Sequence, residues 1–218
     1  MSMNDNWHKL SPVEVMIDLD VSRSGLSNSE VESRREKFGE NKLAEPERTP
    51  GWKRFLSQYN DPLNYLLIGA AIVALLIHPD EPGDAIFIFM VLTANAYFGY
   101  WQEGQAEQAM ESLKQMSVSQ CVVVRNDLDI EIATIDLVPG DIVNLYEGLN
   151  VPADIRILES FQCKVDESAL TGESLTVEKF TESLPEDTLL ADRKNMAFMG
   201  TCVASGRAVG VVVSTGMK

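Results

Sequence analysis

The sequence predicts an α+β membrane protein in which a transmembrane helical hairpin is joined to a β-rich cytoplasmic domain. Residues 63–77 and 85–101 form two apolar runs without a charged side chain, and such runs are typical of membrane helices. From residue 117 onward, short β-branched segments alternate with turn residues such as Pro139-Gly140, which is typical of a compact sandwich or distorted barrel. Polar helices are predicted to precede both parts.

Residues 1–50 are predicted to be a cytoplasmic helical region. Ser11-Pro12-Val13-Glu14 combines Ser at the N-cap, Pro at N1 and Glu at N3, which predicts a helix start. Ser27-Asn28-Ser29-Glu30 has the same Ser-to-Glu spacing, and that second helix is predicted to end near Gly39. Apolar residues are sparse here, so we expect these helices to pack against a larger body.

The transmembrane hairpin is predicted within residues 51–101, with helices at about 60–78 and 84–101. Neither run has the polar face expected of a surface helix in a globular protein. Tyr59, Tyr65, Tyr97, Tyr100 and Trp101 lie near the ends of the runs, as interfacial aromatic residues do. A hairpin buried in a soluble core remains the alternative. The polar Asn64, Thr93 and Asn95 within the runs are expected to form hydrogen bonds between helices.

The distribution of basic residues predicts the orientation of this hairpin. The connection 78–84 contains no Lys or Arg, whereas Arg48, Lys53 and Arg54 precede the first run and Lys114 follows the second. The positive-inside rule then places both termini in the cytoplasm. Residues 102–116 are rich in Gln, Glu and Ala, so they are predicted to continue the second helix as a cytoplasmic stalk. Residues 117–218 form the β-rich domain.

Composition excludes several classes of function. The net charge of −15 argues against nucleic-acid binding through a basic surface. Cys121, Cys163 and Cys202 are scattered and never form a C-x-x-C pair, so neither a disulfide framework nor a zinc site is expected. The first residues lack the pattern of a cleavable signal peptide. The sequence contains neither of the glycine-rich nucleotide-binding motifs G-x-x-x-x-G-K-[ST] and G-x-G-x-x-G.

The candidate chemistry lies in Thr171-Gly172-Glu173-Ser174. Gly172 permits a tight turn, and a carboxylate on such a turn can orient or deprotonate water. The hydroxyl groups of Thr171 and Ser174 can form hydrogen bonds with phosphate oxygens. The alternative is a surface turn in which the hydroxyl groups cap the local backbone.

The surroundings of this tetrapeptide resemble the actuator domain of the P-type cation ATPases, most closely the type II branch of calcium and sodium pumps. The matching motifs, in chain order, are Pro139-Gly140-Asp141, Val151-Pro152-Ala153-Asp154, Val165 through Leu170, Met199-Gly200-Thr201 and Ser214-Thr215-Gly216. Further matches to the family's N-terminal region and first two membrane helices are Leu10 to Leu43, Asp61 to Leu67, Ala94-Asn95-Ala96 and Trp101-Gln102-Glu103. The resemblance covers nearly the whole chain and implies a distorted jelly-roll-like actuator domain.

The resemblance also implies roles for the tetrapeptide. Such pumps form a covalent phosphate on an aspartate, and their actuator loop then directs its hydrolysis. Glu173 would align the attacking water, while Thr171, Gly172 and Ser174 would shape the loop. The motif Asp-Lys-Thr-Gly-Thr and a nucleotide-binding domain are absent from these 218 residues. The chain alone is therefore expected to be catalytically incomplete and to bind no cofactor, with ATP and Mg²⁺ implied only for the complete pump.

The favoured hypothesis is thus the N-terminal part of an ATP-driven cation pump in a bacterial plasma membrane. Its expected partners are membrane lipid, the transported cation and the remaining pump domains in cis or in trans, and nucleic acid is excluded. One alternative is a stand-alone, membrane-anchored regulatory or binding module that associates with a pump or with a separate catalytic half. The other is a soluble acidic β protein. The sequence does not identify the cation.

Overall fold

A computed structural model of the chain describes residues 6–42, 49–77, 79, 82–116, 119–172 and 175–216. The chain divides into two compact units, which are residues 1–44 together with 118–218, and residues 45–117. The N-terminal helices belong to the same unit as the β domain, in line with their few apolar residues.

The described helices and strands are as follows. The helices are α1 (Pro12–Asp18), α2 (Asn28–Phe38), α3 (Gly51–Ser57), α4 (Pro62–Ile77), α5 (Gly83–Met116) and the single turn α6 (Ser168–Thr171). The strands are β1 (Gln120–Arg125), β2 (Leu128–Ala133), β3 (Ile142–Tyr146), β4 (Asp154–Asp166), β5 (Thr176–Glu178), β6 (Met196–Ala197) and β7 (Cys202–Ser214).

Both predicted helix starts are confirmed, because each forms a complete capping box. The Glu14 backbone N–H donates to Ser11 Oγ at 3.4 Å, and the Ser11 N–H donates to the Glu14 carboxylate at 2.8 Å. Ser27 and Glu30 repeat this arrangement at 3.4 and 2.7 Å. These reciprocal bonds satisfy N–H groups that a helix terminus otherwise leaves unpaired. Gly39, with φ of 79°, ends α2 as predicted.

The β domain is a single hydrogen-bonded sheet in the order β2-β1-β3-β7-β4-β5, with β6 paired to β4. Every strand pair in it is antiparallel. This confirms the coarse prediction of a β-sheet domain with N-terminal helices, although the strands share one sheet rather than two separate ones. Register shifts interrupt the β4–β7 ladder near Ile157 and Phe161, and such bulges bend and twist long strands.

Both faces of the sheet are buried, and adjacent residues supply opposite faces. Val143 and Val212 belong to one core cluster, whereas their neighbours Ile142 and Val211 belong to the other. The second cluster also contains Val15 of α1. The N-terminal segment therefore covers a face of the sheet that would otherwise be exposed, which explains why it forms one unit with the strands.

The second unit consists of α3, α4 and α5. The part of α5 from Gly83 to Met110 is long and apolar enough to cross a membrane. α3 and α4 qualify as a second span only when taken together, and the chain bends by 75° between them. Only 11% of the apolar window in α5 is buried. Side chains such as Phe87 and Phe89 are exposed, which does not fit a hairpin buried in a soluble core.

The described hydrogen bond of Thr93 stays within its own helix, whereas that of Asn64 joins α4 to Gln58, the residue that ends α3. Asn64 Nδ2 donates to the carbonyl oxygen of Gln58 at 2.7 Å, across the bend between α3 and α4. Thr93 Oγ1 donates to the carbonyl oxygen of Phe89 at 2.8 Å within its own helix. Hydroxyl groups in helices commonly bond to the preceding turn in this way, and sequence position alone does not reveal which partner is nearer.

Charged residues instead connect α3 with α5. Arg54 forms ion pairs with Glu103, at 3.5 Å, and with Glu107. Gln58 Nε2 donates to Glu103 Oε2 at 2.8 Å. The polar part of α5, after its apolar run, thus contacts α3 and the residue that ends it. These contacts hold α3 against α5.

Candidate functional site

The tetrapeptide lies in a loop that joins two paired strands at an end of the sheet. β4 and β5 are antiparallel, with Lys164 opposite Glu178 and Asp166 opposite Thr176. β5 is the terminal strand in the sheet order. The described residues 167–172 and 175 therefore lie between the paired strands of an edge hairpin. Glu173 and Ser174 lie outside the described residues, so the structure describes only Thr171 and Gly172 of the four predicted site residues.

Thr171 and Gly172 form the described end of a tight turn. The backbone N–H of Thr171 donates to the carbonyl oxygen of Glu167 at 3.0 Å, and the N–H of Gly172 donates to that of Ser168 at 2.9 Å. Thr171 Oγ1 also donates to the Glu167 carbonyl, at 3.1 Å. Gly172 adopts the left-handed conformation with φ of 76° and ends α6. Apart from its chain neighbours, no atom of the described residues would lie within 4 Å of an added Cβ there, so glycine is favoured by its backbone conformation.

Asp166 begins this turn. Its Oδ1 accepts a hydrogen bond from the backbone N–H of Ser168 at 2.9 Å. Hydrogen bonds from the backbone and side chain of Ser168 hold the pKa of the Asp166 carboxyl below its usual value. The carboxylate is therefore ionised at neutral pH, when it satisfies an N–H group at the start of the turn.

Glu167 and Lys179 form a buried ion pair directly beneath the loop. Lys179 Nζ lies 2.6 Å from Glu167 Oε1, and both side chains are 1% exposed. Burial lowers the pKa of Lys179, and the hydrogen bond and charge of Glu167 oppose that shift. The backbone of Lys179 is also held, because its N–H donates to the Cys163 carbonyl at 2.8 Å and its carbonyl accepts from Ser160 Oγ at 2.6 Å.

The pairing of Glu167 with Lys179 was not predicted from the sequence. Glu167 and Lys179 are 12 residues apart, and no helical or strand period relates them. They come together because Glu167 follows β4, Lys179 follows β5, and the two strands are paired. The signal available in the sequence was two opposite charges that flank the candidate loop on either side.

Apolar side chains border the loop on its outer surface. Leu170 is 42% exposed and Leu175 is 77% exposed. Ser168, Ala169 and Gly172 are exposed as well. The loop therefore presents small, hydroxyl-bearing and apolar groups outward, while Glu167 alone of its described residues is buried. Such a surface can contact a group on another domain or molecule.

The cysteines and acidic residues form no further site in the described parts of the chain. Cys121, Cys163 and Cys202 are free thiols. Burial raises the pKa of Cys121 to about 12, so this thiol is not nucleophilic at neutral pH. Among the residues that the structure describes, no three His, Cys, Asp or Glu side chains come close enough together to hold a metal ion.

Comparison with known proteins links both parts of the chain to one family. The family model of the P-type ATPase actuator domain matches residues 115–218. The model described as "Cation transporter/ATPase, N-terminus" matches residues 7–74. The two matches cover most of the chain, including the loop, the N-terminal helices and most of α4.

Curated relatives match the chain from end to end. Calcium-transporting ATPase 1 of Bacillus cereus is 41% identical over 98% of this chain and 24% of the relative. A calcium-transporting ATPase of Listeria monocytogenes is 39% identical over 95% of this chain and 23% of the relative. The cation-transporting ATPase pma1 of Synechocystis is 42% identical over 93% of this chain and 22% of the relative. The chain thus spans about a quarter of the length of these relatives. It belongs to the P-type cation-transporting ATPases, of which it carries the N-terminal region and the actuator domain.

Proposed function

We propose that this chain is the N-terminal part of an ATP-driven cation pump, and that its loop 171–174 acts in hydrolysis of an aspartyl-phosphate intermediate. The observation that carries the proposal is the position of Thr171 and Gly172 in the chain between the paired strands β4 and β5, at the edge of the sheet of an actuator domain. A loop at such an edge can approach a phosphate on another domain without unfolding the sheet.

In the proposed step, a water oxygen attacks the phosphorus atom of the phosphorylated aspartate. The bond between phosphorus and the aspartate oxygen breaks, and the aspartate carboxylate leaves. The Glu173 carboxylate orients the water and accepts its proton, so the products are inorganic phosphate and a free carboxylate. Because Glu173 would reach the phosphate only when the domains meet, hydrolysis would wait for that movement.

The described part of the loop supports this role by its shape. The hydrogen bonds of Thr171 and Gly172 to the preceding turn fix the chain immediately before Glu173. A fixed approach to the reacting group reduces the entropy lost when the water and the phosphate are aligned. The exposed Leu170 and Leu175 could contact the phosphorylated domain on either side of the loop.

The apolar helices support membrane insertion as part of the same proposal. α5 satisfies the length and composition of a membrane span, and the bent α3–α4 pair can supply a second. The arrangement of basic residues favours cytoplasmic termini for this hairpin. ATP and Mg²⁺ would act on pump domains outside this chain. Calcium is the first cation to test, because two of the relatives described above are named as calcium-transporting.

The test is phosphoenzyme turnover in the complete pump that contains these residues. Labelled ATP should form an acid-stable phosphoenzyme in both the native pump and Glu173→Ala. After a chase with unlabelled ATP, we expect decay to be at least about 100-fold slower in the variant, in line with loss of general-base catalysis. Glu178→Ala is the matched control, because Glu178 is an exposed acid on β5 of the same hairpin.

Decay at the native rate in Glu173→Ala would exclude the proposed role of the loop. Absence of any phosphoenzyme in the native protein would exclude a pump assembled in cis. The search would then turn to a separate polypeptide that carries the Asp-Lys-Thr-Gly-Thr motif and copurifies with this chain.

A further inference from the structure

We propose that the buried Glu167–Lys179 ion pair positions the loop for hydrolysis of the phosphoenzyme. Glu167 precedes residues 171–174 in the chain and Lys179 follows β5, so the pair connects the two flanks of this segment. This inference rests on the proposed function of the loop. It assigns to Glu167 and Lys179 the role of positioning residues, since neither is exposed enough to touch a substrate.

The pair is connected to the turn through the backbone as well as through its side chains. The Glu167 carbonyl accepts hydrogen bonds from the N–H groups of Leu170 and Thr171 and from Thr171 Oγ1. A shift of Glu167 would therefore move the donors that lie immediately before Glu173. On the other flank, Lys179 is bonded through its backbone to Cys163 and Ser160 of β4. The ion pair links these two sets of bonds.

The local sheet is too short to fix the loop without such a link. β5 has only three residues, and its strand pairing is confined to β4. A three-residue edge strand provides few ladder hydrogen bonds, and its residues are largely exposed. The side chains of Glu167 and Lys179 are the buried polar contact between the two flanks, and their 1% exposure excludes competing water.

Because the pair is buried, it stabilises the hairpin only when both charged partners are present. Removal of one partner from a buried ion pair leaves an uncompensated charge, which destabilises the structure, whereas joint replacement is often tolerated. The resulting free energy would favour local movement of the hairpin, because it lies at the edge of the sheet where opening disturbs the fewest other contacts. We therefore expect the loop, rather than the whole domain, to respond most.

A second buried ion pair at the other side of the sheet provides a matched control. Arg125 Nη2 lies 2.6 Å from Asp141 Oδ2, and the two side chains are 9% and 0% exposed. They connect β1 with the turn before β3, on strands separated from β5 by β7 and β4 in the sheet order. Arg125→Met removes a similar charge pair from the same domain without touching the loop.

The first measurement is amide hydrogen exchange of the 218-residue chain in lipid nanodiscs. In Lys179→Met and in the milder Glu167→Gln, we expect the amides of Leu170, Thr171 and Gly172 to exchange at least about tenfold faster. In Arg125→Met, we expect the exchange rates of these three amides to change no more than those of the other amides of the sheet. Native exchange rates at the three amides in folded Glu167→Gln would overturn the inference, because that variant keeps the shape and the backbone carbonyl.

The second measurement is phosphoenzyme turnover in the complete pump. Lys179→Met and Glu167→Gln should slow decay at least about threefold, which corresponds to a small loss of transition-state stabilisation, and should leave phosphoenzyme formation at the native rate. A general loss of stability would lower the amount of active pump and would affect both rates alike, as expected for Arg125→Met.

The outcomes separate the inference from the function on which it rests. Slow decay in Glu173→Ala together with native decay in Lys179→Met and Glu167→Gln would overturn the positioning role alone. Native decay in Glu173→Ala would overturn the proposed function, and the positioning role in hydrolysis would fall with it. Slow decay in all three variants, with native formation, supports both.

Discussion

Asn41 Oδ1 accepts a hydrogen bond from the backbone N–H of Gly216 at 2.9 Å, across 175 residues of sequence. The amide nitrogen of the same side chain donates to the carbonyl oxygens of Thr134 and Pro152 at 2.9 and 2.8 Å. Asn41 is 5% exposed. One buried side chain thus connects the end of the N-terminal segment, the turn after β2, the loop before β4 and the residues that follow β7.

Replacement of Asn41 should therefore destabilise the whole β domain. Asn41→Ala leaves the Pro152 carbonyl and the Gly216 N–H without their partners and removes one of two donors from the Thr134 carbonyl, and each buried unsatisfied group costs about 1–3 kcal/mol. We expect the free energy of unfolding to fall by about 2–4 kcal/mol, measured by urea unfolding of the detergent-solubilised chain. Asn144→Ala is the control, because the Asn144 side chain makes an exposed hydrogen bond to Asp129. An equal, small effect in both variants would contradict the prediction.

Arg156 should be the most sensitive charged residue of the sheet. Its side chain is fully buried, and its guanidinium donates to the carbonyl oxygens of five residues, which are Trp7, Leu10, Ile157, Thr181 and Asn195. Burial lowers the pKa of Arg156 to about 10, so it remains protonated at neutral pH. Arg156→Met should reduce the free energy of unfolding by at least about 3 kcal/mol, since several buried acceptors lose charged donors.

Limited proteolysis shows which part of the chain becomes accessible when Arg156→Met destabilises the domain. Two of the five acceptors lie in the N-terminal segment, so Arg156→Met should expose the chain around Trp7 and Leu10 to cleavage earlier than the strands. Arg23→Met is the control, because Arg23 is an exposed partner of Glu159 and such surface pairs contribute about 0–1 kcal/mol. Uniform cleavage of strands and N-terminal segment in Arg156→Met would contradict this account.

A comparison of Gly25 with Gly148 distinguishes the cost of a steric clash from the cost of a left-handed backbone conformation. Both have positive φ, at 75° and 82°. A Cβ at Gly25 would lie 1.8 Å from the carbonyl oxygen of Val124, whereas at Gly148 nothing lies within 4 Å. Gly148→Ala should cost about 1 kcal/mol from the left-handed conformation alone. Gly25→Ala must also displace the loop from β1, so its melting temperature should fall clearly further. Equal melting temperatures would show that the loop adjusts freely.

The stability of the N-terminal segment should decrease as the pH falls below about 6.5. Burial lowers the pKa of His8, and the positive charge of Arg193 adds to this shift. His8 Nε2 lies 3.1 Å from the Pro185 carbonyl, so it carries the proton and donates. A second proton would have to sit on Nδ1, which is buried without a partner among the described residues.

The direction of this pH dependence follows from the linkage between proton binding and folding. Because the folded-state pKa of His8 lies below the unfolded value, the unfolded chain binds the proton more readily, and acidification favours unfolding. The free energy of unfolding should therefore be lower at pH 5.5 than at pH 7.5. His8→Gln keeps a side-chain N–H donor but cannot titrate, so its pH dependence over this window should be smaller. The same dependence in both proteins would assign the effect to other groups.

Local elements of this fold follow from short stretches of sequence. The spacing of Ser11 and Glu14, repeated in Ser27 and Glu30, predicted both helix starts, because a capping box needs only four residues. The end of α2 at Gly39 follows from one glycine in a left-handed conformation. β-branched segments after residue 117 predicted a strand-rich domain, although the length of β4 and β7 was not predictable, since bulges at irregular positions maintain their pairing.

Some features of the candidate site were likewise predictable from contiguous residues, and others were not. The tetrapeptide could be proposed from the sequence because its candidate chemical groups and its turn residues are contiguous, and its role stays a prediction. The roles of Glu167 and Lys179 were not predictable, because only the pairing of β4 with β5 brings the charges together. The hydrogen-bond partner of Thr93 was not predictable, because a hydroxyl group in an apolar run can bond to its own helix as readily as to another.

The amino-acid sequence by itself determined the family, the order of helices and strands, the apolar character of α5 and the location of the candidate loop. These properties depend on residues that are neighbours in the chain. Tertiary structure alone decided that the N-terminal segment covers one face of the sheet, that Asn41 meets Gly216, and that Glu167 meets Lys179. Those contacts join residues that are distant in sequence or unrelated by any local period, and a buried polar group finds its partner only when the folded backbone has excluded water from both.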